Sequence, residues 1–355
     1  MSHLRCATLE DLAGIRDVSV RNGLSAFEVE SRKRWWLTHP FAADFEGVPM
    51  GWVLEDEGGR IVGTLTNIPM LYELDGRSLR CATASSWAVD PEHRSRSLQL
   101  MMSYFAQGRV ELMINGSAND TAAQVMLAFR AEPIPAPEYD ASLFWILRPR
   151  QFAAAALQRR RIPAARWLSV PAGLLLWLAS IPGRLPRRSA GEVRQFERFG
   201  EEFDAFWERL RKQPGRLRAV RTAKALEWRF SEAWWPGKRT VLGVVRDGEL
   251  QGYIVLAERD QRKVLMIGDL QALDDSPMVI RTLLGAAIRS ALRQGALAVQ
   301  WLGWAPGKRR AALPLFPTAR RSGARWPLYY RTADAHLKAR LSQPHCWDFS
   351  PFDAF

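Results

Sequence analysis

Trp87-Ala-Val-Asp-Pro-Glu-His-Arg-Ser-Arg-Ser-Leu-Gln-Leu-Met-Met102 runs from an apolar strand ending in Val89, through a short basic turn, into a helix. A strand that feeds a helix through so short a turn presents backbone N–H groups and the positive end of the helix dipole to an anion. Arg94 and Arg96 add charge, and Ser95 and Ser97 are small enough to let a ligand approach the backbone closely. Together with Leu98, these residues form a candidate phosphate or diphosphate site. The same stretch also reads as an ordinary helix start, with Asp90 at the N-cap and Pro91 at the first helical position.

Upstream, Gly51 to Gly63 reads as strand, acidic and glycine turn, strand, which is a hairpin signature. Leu79 to Val89 is the next strand, Leu98 to Gln107 a helix and Val110 to Ile114 a strand. The same grammar returns later: Thr240 to Val255 is a hairpin about Asp247-Gly248, Val264 to Leu273 a strand, Pro277 to Arg293 a helix, and Ala296 to Trp301 a strand. Gly63 and Gly252 lie 189 residues apart, Pro91 and Pro277 186, and Leu112 and Val299 187. A near-constant offset implies two copies of one mixed α/β unit, each burying a sheet beneath helices.

The length of 355 residues accommodates two such units. With 47% hydrophobic and 25% charged residues, the chain is neither mostly disordered nor a polytopic membrane protein. The net charge of +13 suits anionic partners, and most of it is local: between Arg148 and Arg188 there are nine arginines and no Asp, Glu or Lys. This stretch contains an apolar run, 167–181, that is shorter than the roughly 20 residues a membrane span needs. It reads either as a linker helix between two domains or as a helix lying on an anionic membrane surface. The expected division is 1–147, a basic apolar linker at 148–190, and 191–355. Cys6, Cys81 and Cys346 have no spacing suited to zinc or redox work, and the first residues carry no secretory pattern, so free thiols and a cytoplasmic location are expected. Clustered arginines without a recognised motif do not argue for specific nucleic-acid binding.

Val89, Pro91 and Arg94 match the pattern by which the chain resembles the GNAT superfamily of acyl-CoA-dependent N-acyltransferases: a strand ending in Val, a Pro, then [Gln/Arg]-x-x-Gly-x-[Gly/Ala] entering a helix. Ser97 and Gln99 stand at the glycine positions, and Ser97 fits there if its φ is negative. Asn119-Asp-Thr-Ala122 resembles the family's Asn-x-x-Ala at the start of the helix after the fifth strand. The resemblance covers residues 3–147 and, more faintly, the second copy, whose Asp274-Asp-Ser-Pro277 offers carboxylates where a diphosphate needs donors.

This resemblance implies a mixed α/β (α+β) protein of two tandem GNAT-like units, each a mixed, mostly antiparallel sheet flanked by helices, the second degenerate. It implies acetyl-CoA or another acyl-CoA as co-substrate, held by Ala88, Val89, Arg94 to Leu98 and Asn119, with no metal. A backbone N–H near Ala88 and Val89 would meet the developing oxyanion, and an amine acceptor, such as an amino sugar or an envelope or polysaccharide precursor, would lie between the copies. The tyrosine that many relatives use as general acid falls near Met126, leaving that role empty.

The strand Leu79 to Val89 contains no carboxylate, only Thr83, Ser85 and Ser86 as polar side chains, so a base must come from elsewhere. His39, Asp44 and Glu46 are candidates on the segment expected to face substrate, with surface charge or helix capping as the alternative, and Ser86, on the strand itself, is a further catalytic candidate. Glu227, Trp228 and Arg229 are a candidate substrate wall. The tail from Cys346 to Phe355 carries Asp348 and Asp353, but its four aromatic residues read more simply as docking on the core. There is no G-x-S-x-G, H-E-x-x-H, G-x-G-x-x-G or Walker pattern.

Overall fold

The computed structural model describes residues 2–116, 118–136, 138, 140–159, 170–171, 174, 189–235, 237–258, 263–321 and 328–354. The first half runs β1 (His3–Cys6), α1 (Leu12–Arg21), α2 (Val29–Leu37), β2 (Gly51–Glu55), β3 (Ile61–Leu74), β4 (Arg77–Val89), a 3₁₀ turn (Pro91–Arg96), α3 (Ser97–Ala106), β5 (Leu112–Asn115), α4 (Asp120–Ala128), β6 (Glu132–Pro133) and β7 (Ala141–Ile146). After α5 (Pro149–Arg159) come β8 (Glu192–Phe196), α6 (Glu201–Leu210), β9 (Arg218–Ala219), α7 (Ala223–Arg229), β10 (Arg239–Arg246), β11 (Glu249–Glu258) and β12 (Val264–Ala272). The chain continues with α8 (Pro277–Arg293), β13 (Ala298–Trp301), α9 (Pro306–Ala312), β14 (Thr318–Arg321), β15 (Tyr329–Arg331), α10 (Ala335–Leu341) and α11 (Pro351–Ala354).

Both expected hairpins form, and a third closes β3 onto β4 through Asp75-Gly76. Asp75 and Gly76 have φ of +52° and +80°, as do Asp247 and Gly248 at +53° and +81°, the backbone that tight hairpins with right-handed twist require. α6 places Phe203, Phe206, Trp207 and Leu210 on one face, the 3,4 spacing that buries a helix against a sheet. α8 does the same with Ile280, Leu283, Leu284, Ala287 and Ala291.

The two sheets have the same design. One is ordered β1-β2-β3-β4-β5-β15-β6, with β9 added beside β3; the other is ordered β8-β10-β11-β12-β13-β7-β14. All neighbours are antiparallel except β4 with β5 and β12 with β13. This is the mixed, mostly antiparallel architecture expected for two tandem units.

One expectation is corrected. Residues 141–146 fall within the expected first unit, 1–147, but β7 pairs with β13 and β14 in the second sheet. Reciprocally, β15 inserts between β5 and β6 of the first. The two halves therefore exchange their last strands. A continuous apolar cluster then runs through both, from Trp35 and Tyr72 to Phe203, Tyr253 and Trp347. The basic segment falls mostly at 160–188, outside the described residues, as does its linker or membrane reading. Among the described residues no helix is long and apolar enough to cross a membrane.

Candidate active site

β4 and β5 pair from Cys81 with Leu112 to Ala84 with Asn115, and then part. β5 ends there and α4 begins shortly after, whereas β4 runs on to Val89. Between Thr64 and Thr66 the β3–β4 register shifts, and the surplus residues of β4 bulge at Ser86, whose φ is +52°. A bulge bends its strand and raises the local twist. The result is a cleft of about 480 Å³, with Ser85, Ser86, Trp87 and Val89 on the β4 wall, Asn115 and Asn119 opposite, and Arg94 and Ser97 also on its lining. Asn119 caps α4, its side chain accepting from the Ala122 amide at 2.9 Å.

Asp90 N–H donates to Val62 O at 2.8 Å, so the alternation of a strand turns the Ala88 amide toward β3 and the Val89 amide toward the side that β5 has left. Of the two residues expected near an oxyanion, Val89 therefore offers the donor and Ala88 does not. The Asp90 carboxylate does not cap the turn. It receives Arg21 Nη2 at 2.7 Å and Asn22 Nδ2 at 2.9 Å, and, although its burial opposes ionisation, Arg21 and Asn22 hold it below the usual carboxylate range.

The expectation of open amides along residues 94–98 is corrected for residues 94–97. Pro91–Arg96 is wound as a 3₁₀ helix, whose amides bond three residues back, and the Ser97 amide donates to Arg94 O. Ser97 has φ −58°, so serine is unstrained where the family pattern has glycine. An anion at this corner would meet side chains, the exposed Arg94 and the half-buried Ser97 on the cleft, rather than a bare amide nest. Arg96 instead leans on Gln99 at 3.4 Å, and Ser95 and Leu98 are exposed.

On the other side of the bulge lies a narrow recess lined by Arg32, Trp36, Gly51, Thr64, Thr66 and Ser86, among others. Ser86 and Leu65 line both spaces, so the cleft and the recess share the bulge as a common wall. Gly51 is needed here: at φ +151° a Cβ would stand 2.4 Å from Leu65 O. Sequence reasoning missed Arg32, Thr64 and Thr66; only the neighbouring Trp35-Trp36 pair marked the region as unusual.

Three other candidates are not brought to the cleft. His39 is buried, with Nε2–H donating to Pro69 O at 2.9 Å and Nδ1 accepting the Phe41 amide at 3.2 Å. Burial pushes its pKa down to about 4. Asp44 and Glu46 are exposed and line neither space; the Glu46 carbonyl accepts from Arg109 at 2.7 Å. The proposed wall on α7 is structural. Glu227 pairs with Arg239 at 2.7 Å, Trp228 stacks on Trp35 at 4.2 Å and donates to its carbonyl, and Arg229 Nε donates to Phe352 O at 2.6 Å. Met126, at the vacant tyrosine position, is buried. The described cleft lining thus contains no carboxylate, imidazole or phenol.

The corresponding gap of the second unit is closed. β12 pairs with β13 only from Val264 to Met266, but beyond it Lys308 Nζ reaches Leu270 O at 2.9 Å, Gln271 Oε1 at 2.7 Å and Asp348 Oδ1 at 2.5 Å. At the preceding turn Asp274 and Asp275 replace the basic residues, and Asp275 pairs with Arg216.

No family model and no curated relative matches the chain. Among solved structures it is similar to a GCN5-related N-acetyltransferase from Anabaena variabilis (12% identity over 94% of this chain and 73% of that one, TM-score 0.56). It is also similar to one from Kribbella flavida (16%, 94% and 72%, TM-score 0.53) and to Saccharomyces cerevisiae N-myristoyltransferase with bound myristoyl-CoA (10%, 93% and 82%, TM-score 0.53). At these identities the likeness establishes the fold.

Proposed function

We propose that this chain, whose fold is that of the GCN5-related N-acetyltransferases, moves an acyl group from an acyl-CoA, by default acetyl-CoA, to an amine. The observation that carries this reading is the cleft where β4 and β5 part, open in the first unit and plugged by Lys308 in the second. An extended, amide-bearing thioester carrier can lie along the unpaired edge of β4 as a missing strand would. Its diphosphate falls to Arg94 and Ser97, and the thioester carbonyl to the Val89 amide.

The amine nitrogen attacks the carbonyl carbon as the oxyanion that develops on the carbonyl oxygen accepts from the Val89 N–H; the C–N bond forms, the C–S bond breaks, and the thiolate takes up, through water, the proton that the amine sheds. With no titratable base on the described lining, the amine's surplus proton passes to water. Positioning then supplies most of the rate enhancement. An amino sugar or an envelope precursor is compatible with this chemistry as acceptor.

Calorimetry with acetyl-CoA and thiol release across amino sugars, polyamines and amino acids test the proposal. Saturable coenzyme binding is expected, and Arg94→Ala should weaken it roughly tenfold by loss of a charge-assisted phosphate contact. Neither acetyl-CoA binding nor thiol release with any amine would refute it.

A further inference from the structure

Arg32, on α2, is half-buried with no carboxylate partner among the described residues, whereas several arginines around the first sheet have one. Arg5 meets Asp11, Arg21 meets Asp90 and Arg211 meets Glu73, each at 2.7 Å. The Arg32 guanidinium is instead clamped between rings, 4.6 Å from the Phe27 centroid and 4.8 Å from that of Trp234. Its Nε has no hydrogen-bond partner, and no carboxylate among the described residues offsets the burial that pushes its pKa down to about 10. It is charged at neutral pH.

A desolvated cation without a counter-ion is costly, and a planar fork fixed between aromatic faces is arranged for a planar anion. Thr64 adds a second unmet group. It is 1% exposed, its Oγ1 has no partner, and it lines the same recess. The recess holds about 10 Å³, the space of about one water, which admits a single oxygen atom of a ligand.

We propose that Arg32 and Thr64 form a carboxylate subsite, so that the acceptor is a small amine carrying a carboxylate whose amino group is thereby held at Ser86, which lines both recess and cleft. This assignment of the acceptor rests on the transferase reading above; the carboxylate subsite itself does not.

The first test is direct binding. Trp35 and Trp234 lie against the Arg32 guanidinium and Trp36 lines the recess, so intrinsic fluorescence reports occupancy as N-acetylglycine or its uncharged counterpart N-acetylglycinamide is titrated into the full-length protein. The acid should give a saturable change and the amide none. Arg32→Met should weaken the acid roughly ten- to hundredfold, Arg32→Lys less, and Thr64→Val by a smaller factor. The second test is turnover of glycine, β-alanine, glycinamide and O-phosphoethanolamine. The carboxylates should be preferred, and Arg32→Met should raise their KM while leaving the acetyl-CoA KM unchanged.

No saturable response in the wild type, equal binding of acid and amide, or preference for the phosphate would overturn the subsite. If Arg32→Met does not fold, Arg32→Lys and Thr64→Val take its place, and they overturn the subsite by binding the acid as the wild type does. Acetyl-CoA binding without a carboxylate response defeats this inference alone. A carboxylate response without acetyl-CoA binding defeats the transferase reading alone.

Discussion

At the scale of single residues, function depends on which polar groups are already satisfied. His39 was legible as a polar residue in a substrate-facing segment, but both its ring nitrogens are used internally, and it acts as a stability element. Its pKa of about 4 in the fold lies below the roughly 6.5 of an unfolded chain. The unfolded state therefore binds more protons between those values, so the contribution is complete above about pH 6.5 and is lost as pH falls toward 4. Urea unfolding at pH 7 and pH 5 should differ by about 2 kcal/mol from this source, and His39→Gln should flatten the difference; an unchanged slope would show that His39 is not its source. Arg32 carries no mark in the sequence, because nothing in a sequence says which arginine will be buried away from the carboxylates among the described residues.

At the scale of elements, hydrophobic alternation and turn residues were enough to read hairpin, strand, helix and strand in both halves. What they could not assign was a strand's neighbour. β7 and β15 are only six and three residues long, too short for their side-chain pattern to specify which sheet they join. Their exchange ties the halves together by main-chain bonding on both sides. A protease site placed within 175–188 and then cut should leave two fragments that co-elute in gel filtration without denaturant and separate only in urea. Free elution of the fragments under native conditions would contradict the exchanged pairing. The open-amide turn failed for a related reason: composition marks a basic strand-to-helix connection, but whether its amides stay free depends on the winding of Pro91–Arg96.

At the scale of the molecule, the aromatic tail does dock on the core, and its two carboxylates become the charges that fasten it. Asp348 receives Lys308 and Arg218 at 2.5 and 3.0 Å, and Arg221 joins Asp269 and Asp353, each at 2.9 Å. Burial opposes ionisation of Asp348, yet Lys308, Arg218 and Arg221 hold it well below the usual carboxylate range. Such a group stabilises the fold above its unfolded value of roughly 3.9, and the effect is lost as pH falls through the folded one. Lys308→Met leaves that charge underpaired, so a loss of about 3–5 kcal/mol is expected in denaturant unfolding, partly restored by adding Asp348→Leu. A change within about 0.5 kcal/mol would mean that the plug is not held by this pair. The kinds of element, their order, the repeated pattern and the basic corner at Arg94 are all readable from local sequence, because side-chain periodicity and turn chemistry act over a few residues. The exchange of last strands, the open cleft of the first unit and the burial of Arg32 away from any carboxylate among the described residues emerge only in the folded chain, because each depends on groups far apart in the chain meeting in one place.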